Sequence, residues 1–222
     1  MKTNNFNSKK KPLLKNFKEG VTEAGCDEAG RGSLAGPVFA AAVILPPGYE
    51  NPVLNDSKTL TEKQRETLRR EIEANARAWA VASATPGEID RMNILNAAFL
   101  AMNRAILKLK ITPQHLLIDG NRFRPLSSIP FTCMIKGDGR FYSIAAASVL
   151  AKTWRDEYMK KIHKKCRWYG WDRNKGYATK EHRRAIAEQG FSKYHRRSFR
   201  IRDEQLLLDF ETDKPAGLPE NR

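Results

Sequence analysis

The fold of this chain is decided by residues 21–32, which read Val-Thr-Glu-Ala-Gly-Cys-Asp-Glu-Ala-Gly-Arg-Gly. The small and apolar residues predict a short strand, and Gly30 and Gly32 stop it. The acids Asp27 and Glu28 come at the end of this strand. The stretch therefore predicts a strand that carries two carboxylates to the edge of a sheet.

Two further acids follow apolar, strand-like segments: Asp119 ends one of them, and Asp138 lies just beyond the next. Neighbouring residues on a regular strand face opposite sides, so Asp27 and Glu28 share a site only if their strand is already turning, which Gly30 allows. Acids that converge at strand ends repel each other and a phosphate, and Mg²⁺ or Mn²⁺ is the usual compensation. Spacing alone leaves two interpretations open, a metal site or acids that merely mark turns.

The rest of the chain predicts four more strands and several helices. A helix begins at Thr61 with a capping box that Gln64 completes. Further strands are predicted at 37–45, 79–84, 115–119 and 131–136, and further helices at 94–109 and 143–164. The first two strands are close enough in sequence to pair as a hairpin, and the later strands alternate with helices. We therefore expect an α/β fold with a mixed five-stranded sheet flanked by helices.

The basic charge of the chain is concentrated in residues 152–202, with a smaller excess in residues 1–20. The chain has 40 Lys and Arg against 25 Asp and Glu, a net charge of +15 and a pI near 9.9. Nucleic acid is the natural partner for such a surface, although a solvated surface remains the alternative. Arg196 and Arg197 are predicted to contact phosphate, with a solvated charge run as the alternative.

Composition divides the chain into four parts. We expect a flexible basic N-terminal arm at 1–20, a catalytic core at 21–165, a basic helical substrate-binding appendage at 166–202 and a flexible C-terminal tail at 203–222.

Several classes of protein are disfavoured. The three cysteines, Cys26, Cys133 and Cys166, are odd in number and widely spaced, which fits neither a disulfide framework nor a zinc site and indicates a reducing, cytosolic compartment. No apolar run is long enough to span a bilayer, and the N-terminus lacks the pattern of a signal peptide. There is no Gly-x-Ser-x-Gly elbow and no phosphate-cradling Gly-Lys-Thr/Ser loop.

Two short motifs have an ordinary and a functional interpretation. The glycines of Gly30-Arg31-Gly32 permit a turn, or let backbone N–H groups approach a sugar or phosphate closely. The ring of Tyr177, beside Lys175, is a core aromatic or a platform next to positive charge.

Six motifs occur together, in a fixed order, over roughly residues 21–200. They are Gly-Cys-Asp-Glu-Ala-Gly-Arg-Gly at 25–32 with Leu-Ala-Gly-Pro-Val at 34–38, Asn-Asp-Ser-Lys at 55–58, Leu-Ile-Asp-Gly-Asn at 117–121, Lys-Gly-Asp at 136–138 with Ala-Ala-Ser-Val-Leu-Ala-Lys at 146–152, Lys-Gly-Tyr at 175–177, and His-Arg-Arg-Ser-Phe at 195–199. Together they resemble the ribonuclease HII (type 2 ribonuclease H) family, and a chance match of all six is negligible. The chain departs from the family pattern at Ser33, Thr59 and Asn174, none of which is an acid.

The resemblance implies a ribonuclease H-like core with a small helical C-terminal appendage. It implies that four carboxylates are catalytic and hold two divalent cations, Mg²⁺ or Mn²⁺: Asp27, Glu28, Asp119 and Asp138. It also implies substrate contacts by Gly30, Arg31, Gly32 and Tyr177 at a ribose 2′-hydroxyl, and by Ser57, Lys58, Ser148 and Lys152 along the backbone. Arg155 and Asp156 are expected to form a structural ion pair.

The activity that the resemblance implies is endonucleolytic. The enzyme would hydrolyse the RNA strand of RNA–DNA hybrids and cut on the 5′ side of single ribonucleotides in duplex DNA, leaving 3′-hydroxyl and 5′-phosphate ends. Such an enzyme serves ribonucleotide excision repair and DNA replication, and we expect a cytoplasmic monomer without a membrane partner. The alternatives are another ribonuclease H-like nuclease, such as a type 1 enzyme or a junction resolvase, and a non-catalytic RNA-binding protein.

Overall fold

The computed structural model describes residues 12–54 and 60–200, and five strands in these ranges form one sheet. The strands are β1 (Glu23–Ala29), β2 (Val38–Ile44), β3 (Ala78–Ala84), β4 (His115–Asp119) and β5 (Phe131–Met134). Their order across the sheet is β3-β2-β1-β4-β5. The first three strands are antiparallel, whereas β4 pairs parallel with both β1 and β5. The predicted mixed five-stranded sheet is confirmed.

Helices cover both faces of the sheet, and this explains why every residue of β2 is buried. Within the described ranges the helices are α1 (Glu62–Asn75), α2 (Pro86–Leu107), α3 (Tyr142–His163), α4 (Trp171–Asn174) and α5 (Lys180–Gln189). One face packs against α2 through residues such as Ile89 and Met102, and the other packs against α3 and α1 through Val149 and Leu68. The sheet is therefore the middle of three layers.

Helix α3 packs so closely against β1 at Gly25 that no side chain fits between the two backbones. A Cβ atom at Gly25 would stand 2.2 Å from the carbonyl carbon of Ser143, so only glycine fits at this position. The run Ala145-Ala146-Ala147 continues the same narrow contact, and all three residues are fully buried. This packing fixes α3 relative to the strand that carries Asp27.

The helix boundaries agree with the sequence at α1 and α3 and differ at α2. The capping box of Thr61 and Gln64 is present. Helix α2 begins eight residues before the predicted start at 94, because Thr85 and Glu88 form a second capping box. A left-handed Asn93 with φ of 68° separates the two parts of α2, so the periodicity that begins at Ile94 reports only the second part.

Part of the predicted flexible arm is bonded to the core. The Leu14 amide donates to the Arg140 carbonyl at 2.7 Å, and the amides of Phe17 and Lys18 donate to the carboxylate of Glu23. Residues 12–20 thus contact the core, and the flexibility of the arm stays a prediction. Residues 1–11 and the predicted tail at 203–222 lie outside the described residues.

The C-terminal segment has its own apolar cluster, in which Tyr169, Trp171 and Ile186 pack against Leu34 and Met159. The predicted helical content of this segment is confirmed by α4 and α5. Its treatment as a separate unit stays a prediction. Across the described part of the chain, no helix has the length and apolarity needed to cross a bilayer.

Candidate active site

Three of the four predicted acids lie at one edge of the sheet because of the strand order. Strands β1 and β4 are parallel neighbours, and Cys26 pairs with Ile118, so Asp27 and Asp119 follow them side by side. Asp138 lies in the short 3₁₀ turn Gly137–Gly139 that follows β5 on the far side of β4. The parallel arrangement therefore gathers these acids at the carboxyl ends of the strands.

Asp27 is buried, with 4% of its surface exposed. Its Oδ1 accepts the Glu28 amide at 2.7 Å, and its carboxyl group is hydrogen bonded by the Ser148 hydroxyl from α3. Burial raises the pKa of Asp27 well above its usual range, and the nearby charges of Glu28 and Asp119 raise it further. The site therefore concentrates negative charge around Asp27.

Glu28 lies on the same strand and is held by another partner. Strand β1 continues to Ala29, so the prediction that Asp27 and Glu28 end this strand is wrong. The Glu28 Oε1 lies 3.2 Å from Nη1 of Arg31, a residue of the following loop. The carboxylate of Glu28 thus joins the acidic site to the loop at 30–32.

Asp119 is connected to the turn that carries Asp138. Its Oδ1 accepts the Gly137 amide at 2.7 Å. Gly137 packs closely on α3, because a Cβ there would stand 2.5 Å from Cδ1 of Ile144. Strand β5 ends at Met134, two residues before its predicted end, because Lys136 adopts a left-handed conformation that turns the chain toward Asp138.

The donor chemistry of these residues suits hard divalent cations. All four side chains offer carboxylate oxygens, the ligands that Mg²⁺ and Mn²⁺ prefer. Within residues 12–54 and 60–200, no three His, Cys, Asp or Glu side chains already stand as a ligand set for one ion. Burial raises the pKa of Asp27 most, the charges of Glu28 and Asp119 raise it further, and bound cations would relieve this repulsion.

A buried arginine, Arg196, donates hydrogen bonds to backbone carbonyls of the loop at 30–32. Arg196 has no exposed surface, and its Nη2, Nη1 and Nε donate to the carbonyls of Gly30, Arg31 and Gly36 at 2.7, 2.8 and 2.9 Å. Its guanidinium therefore cannot reach a phosphate, and the predicted contact is wrong for this residue. Charge in the sequence could not reveal this role, because burial depends on the fold.

The comparisons with known proteins identify the family. The family model described as ribonuclease HII matches residues 24–202 of the chain. The chain belongs to the ribonuclease HII family. A ribonuclease HII from Bacteroides thetaiotaomicron is 59% identical over 199 residues, which is 89% of this chain and 100% of the relative. The family consists of endonucleases that act on RNA–DNA hybrids, which excludes the non-catalytic alternative.

Two solved structures agree with the fold. The ribonuclease HII in a complex with PCNA from Archaeoglobus fulgidus is 25% identical, with a TM-score of 0.69 over 82% of this chain and 96% of that one. A Bst-RNase HIII solved in complex with Mn²⁺ is 20% identical, with a TM-score of 0.65 over 86% of this chain and 71% of that one. The sheet and its helices are therefore those of the ribonuclease HII and HIII structures.

A second buried arginine of this ribonuclease HII family member lies under the same loop. Arg155 has no exposed surface, and its Nη2 and Nε donate to the carbonyls of Ala35 and Pro37, each at 3.2 Å. The predicted ion pair of Arg155 with Asp156 is wrong, because adjacent residues on a helix point in different directions. Asp156 instead contacts Lys152, with Nζ and Oδ1 2.6 Å apart.

The signal for the burial of Arg155 was present in the sequence. Arg155 continues the stripe of Ser148, Ala151 and Met159 along α3, all of which are buried. A residue at three- or four-residue spacing from buried neighbours shares their face of the helix. Helical periodicity therefore predicts a buried Arg155, whereas its charge suggests an exposed one.

Tyr177 lies next to this arginine, with 39% of its surface exposed. The guanidinium carbon of Arg155 is 5.5 Å from the centre of its ring, and Nζ of Lys152 is 5.9 Å from it. Arg31 and Gly32 are also exposed, and nothing lies within 4 Å of a Cβ placed on Gly32. These groups can meet a ligand, so their predicted substrate contacts stay predictions.

The remaining predicted contacts have different outcomes. The Ser148 hydroxyl is buried and hydrogen bonded to Asp27, and its contact with the substrate backbone stays a prediction. The Arg197 side chain is exposed, and its backbone amide donates to Asp90. Its phosphate contact stays a prediction. Ser57 and Lys58 lie outside the described residues.

Proposed function

We propose that this enzyme cuts duplex DNA on the 5′ side of a single embedded ribonucleotide, in addition to hydrolysing RNA–DNA hybrids. The observation that carries the proposal is the position of Arg155, which lies under Gly30 and beside the exposed ring of Tyr177. One buried side chain thus supports both groups that would recognise the sugar. The 2′-hydroxyl is the group that distinguishes RNA from DNA.

The loop at 30–32 and Tyr177 contact different sugars at the junction between the ribonucleotide and the next deoxyribonucleotide. The backbone near Gly32 can approach a ribose, because no side chain blocks it. The ring of Tyr177 packs on the next sugar when that sugar is a deoxyribose, which has no 2′-hydroxyl to clash with it. Lys152 and Arg197, together with Ser57 and Lys58, are proposed to contact the phosphates on either side.

The proposed chemistry is a hydrolysis assisted by two divalent cations held by Asp27, Glu28, Asp119 and Asp138. Divalent cations held by these carboxylates would activate a water molecule and stabilise the negative charge on the leaving 3′-oxygen. The carboxylates position the scissile phosphate in line with the attacking water, so the products carry a 3′-hydroxyl and a 5′-phosphate. The Bst-RNase HIII solved with Mn²⁺ supports a divalent cation in this fold.

Cleavage mapping tests the proposal directly. Three duplexes of equal length are compared, namely one with a single ribonucleotide, one RNA–DNA hybrid and one of DNA alone, each with Mg²⁺, Mn²⁺ or EDTA. We expect one cut 5′ of the single ribonucleotide, several cuts in the hybrid, and none in DNA or with EDTA. A hybrid that is cut while the single ribonucleotide stays intact would contradict the proposed specificity.

The biological setting follows from this substrate. An enzyme that cuts at single ribonucleotides begins ribonucleotide excision repair behind DNA replication, and we propose that it does so in the cytoplasm as a monomer. Light scattering of the purified chain checks the oligomeric state. Alkali-sensitive sites in genomic DNA should accumulate when the gene is deleted, and an unchanged number would contradict the role in repair.

A segment near the C-terminus suits a partner protein. Residues 205–210 read Gln-Leu-Leu-Leu-Asp-Phe, an apolar cluster among mainly charged neighbours, and they lie outside the described residues. Short apolar segments of this kind bind hydrophobic grooves on other proteins. The A. fulgidus ribonuclease HII was solved with PCNA. We propose that this segment binds the DNA sliding clamp of the same cell.

Replacing Leu208 and Phe210 by alanine tests this partner. We expect the double variant to lose binding to the purified clamp in calorimetry while it cleaves the hybrid as before. Replacement of Leu218, outside the cluster, is the matched control. Equal clamp binding by the double variant and the unchanged protein would contradict the proposal.

A further inference from the structure

Two histidines meet inside the apolar cluster of the C-terminal segment. His182 of α5 and His195 are both buried, and their Nε2 atoms lie 3.1 Å apart. The rings of Tyr169 and Trp171 pack around them. No carboxylate is hydrogen bonded to either ring among the described residues, so the pair is not a catalytic acid–base couple of the usual kind.

The hydrogen bonds of this pair fix the proton on each ring. Nδ1 of His182 lies 2.9 Å from the Tyr177 carbonyl, which can only accept, so Nδ1 carries the proton. Nε2 of His182 therefore accepts, both from Nε1 of Trp171 at 3.0 Å and from Nε2 of His195. Nδ1 of His195 accepts the Ser192 amide at 3.0 Å. Both rings are thus neutral and held in one tautomer.

One end of the pair holds the backbone of Tyr177. The carbonyl of Gly176 accepts the Leu34 amide at 2.8 Å, and the next carbonyl, that of Tyr177, accepts from His182. These two carbonyls belong to the two peptide planes on either side of the Tyr177 Cα. With both planes fixed, the direction in which the Tyr177 side chain leaves the backbone is fixed as well.

The other end of the pair leads to the loop at 30–32. His195 forms an antiparallel bridge with Ala35, and the Arg196 amide donates to the Leu34 carbonyl at 2.9 Å. The side chain of Arg196 then holds the carbonyls of Gly30 and Arg31. A path of hydrogen bonds, with the peptide link between His195 and Arg196, thus runs from Tyr177 through both histidines to the loop.

We propose that the hydrogen bond between His182 and His195 sets the position of Tyr177 relative to the loop at 30–32, and so sets the preference for a single ribonucleotide over a long hybrid. Both histidines are positioning residues, since neither is exposed to a substrate. The inference rests on the proposed recognition of the 2′-hydroxyl by the loop and Tyr177. A long hybrid offers a 2′-hydroxyl at every position, so it tolerates a displaced Tyr177 better than a single junction does.

Two substitutions of His195 distinguish the loss of its hydrogen bond to His182 from the loss of the imidazole ring itself. The amide of His195→Gln reaches the position of Nε2 and can still donate to His182, whereas the shorter His195→Asn keeps only the bond to Ser192. We expect His195→Asn to lower kcat/KM on the single ribonucleotide about tenfold more than on the long hybrid, since a lost hydrogen bond costs about 1–1.5 kcal/mol. His195→Gln should keep the ratio within about twofold of its original value.

A thermodynamic cycle with Tyr177→Ala distinguishes positioning from general damage. In the Tyr177→Ala background, His195→Asn should change the ratio of the two substrates no further, because the group that it positions is gone. If His195→Asn does not fold, His182→Gln replaces it, because that substitution removes the donor to the Tyr177 carbonyl. An unchanged ratio in the folded variant, or an equal additional loss without Tyr177, overturns the inference. Failure of the unsubstituted enzyme to cut the single ribonucleotide overturns the proposed function and the inference with it.

Discussion

Nε of Arg155 occupies the space directly beside the Cα of Gly30, where a Cβ would stand 1.9 Å away. Gly30 also has a φ of 94°, a conformation that residues with a side chain rarely adopt. The loop that would meet the ribose is therefore shaped by a buried cation beneath it. Its form depends on two positions that are 125 residues apart in the chain.

Gly30→Ala should destabilise the protein by about 2–4 kcal/mol, because the added methyl group meets both a steric clash and backbone strain. Urea unfolding measures the change. Gly32→Ala is the matched control, because nothing lies within 4 Å of its Cβ, and it should shift stability by less than about 1 kcal/mol. Equal losses in the two variants would show that Arg155 moves aside.

Asp27→Asn should lower cleavage at least about a hundredfold and leave duplex binding intact, because it removes a cation ligand and no phosphate contact. In EDTA the same variant should unfold at a higher temperature, since burial and the charges of Glu28 and Asp119 raise the pKa of Asp27. Glu50→Gln, at an exposed position, is the control. Turnover close to the original rate with saturating Mg²⁺ would remove Asp27 from the metal site.

Arg197→Ala should weaken the binding of hybrid and plain DNA alike and make the slope of log K against log salt shallower by about 0.9, the value for one phosphate contact. Arg196→Ala should instead lower stability by several kcal/mol, on the order of 3, because it leaves three carbonyls without this donor, and two of these hydrogen bonds are buried. Fluorescence anisotropy at several salt concentrations and urea unfolding measure the two effects. Interchanged results would reverse the assignment of the two arginines.

Tyr177→Ala should reduce cleavage at a single ribonucleotide about tenfold more than cleavage of a long hybrid, because the lost ring contact matters most where one sugar identifies the site. Rates on both duplexes, measured with excess enzyme, give the ratio. Trp168→Ala is a suitable control, as this ring is also exposed on the C-terminal segment. Parallel losses on both substrates would assign the tyrosine to binding in general.

Stability should fall as the pH drops from about 6.5 toward 4. Burial and the neighbouring His182 lower the pKa of His195 to about 4 from an ordinary value of 6.5. His195 therefore binds a proton in the unfolded chain at a pH where it stays neutral in the folded chain. Its contribution to stability is complete above pH 6.5 and is lost as the pH falls toward 4. Burial lowers the pKa of His182 as well. Thermal unfolding between pH 8 and 4 measures the effect, and His195→Gln should flatten it.

The strands could be predicted because their apolar runs are short and end at glycines or prolines. The order β3-β2-β1-β4-β5 could not, since pairing between distant strands leaves no local signal. The acids could be singled out because Asp27 and Asp119 end apolar segments and Asp138 lies just beyond one. Arg196 and Arg197 show the limit most clearly: adjacent, identical side chains have opposite environments, and only the tertiary structure decides which is buried.

The contact between Gly25 and Ser143 has a consequence for how this enzyme can vary. Strand β1 carries Asp27 two residues after Gly25, and α3 carries Ser148 five residues after Ser143. The two backbones touch, so the gap between Asp27 and Ser148 has almost no freedom to change. A larger residue at Gly25 or Ser143 would move α3 away from β1 and increase the distance between the Ser148 hydroxyl and the Asp27 carboxylate. Substitutions that are tolerated elsewhere in the core should therefore lower activity at Gly25 and Ser143, even though neither residue meets the substrate.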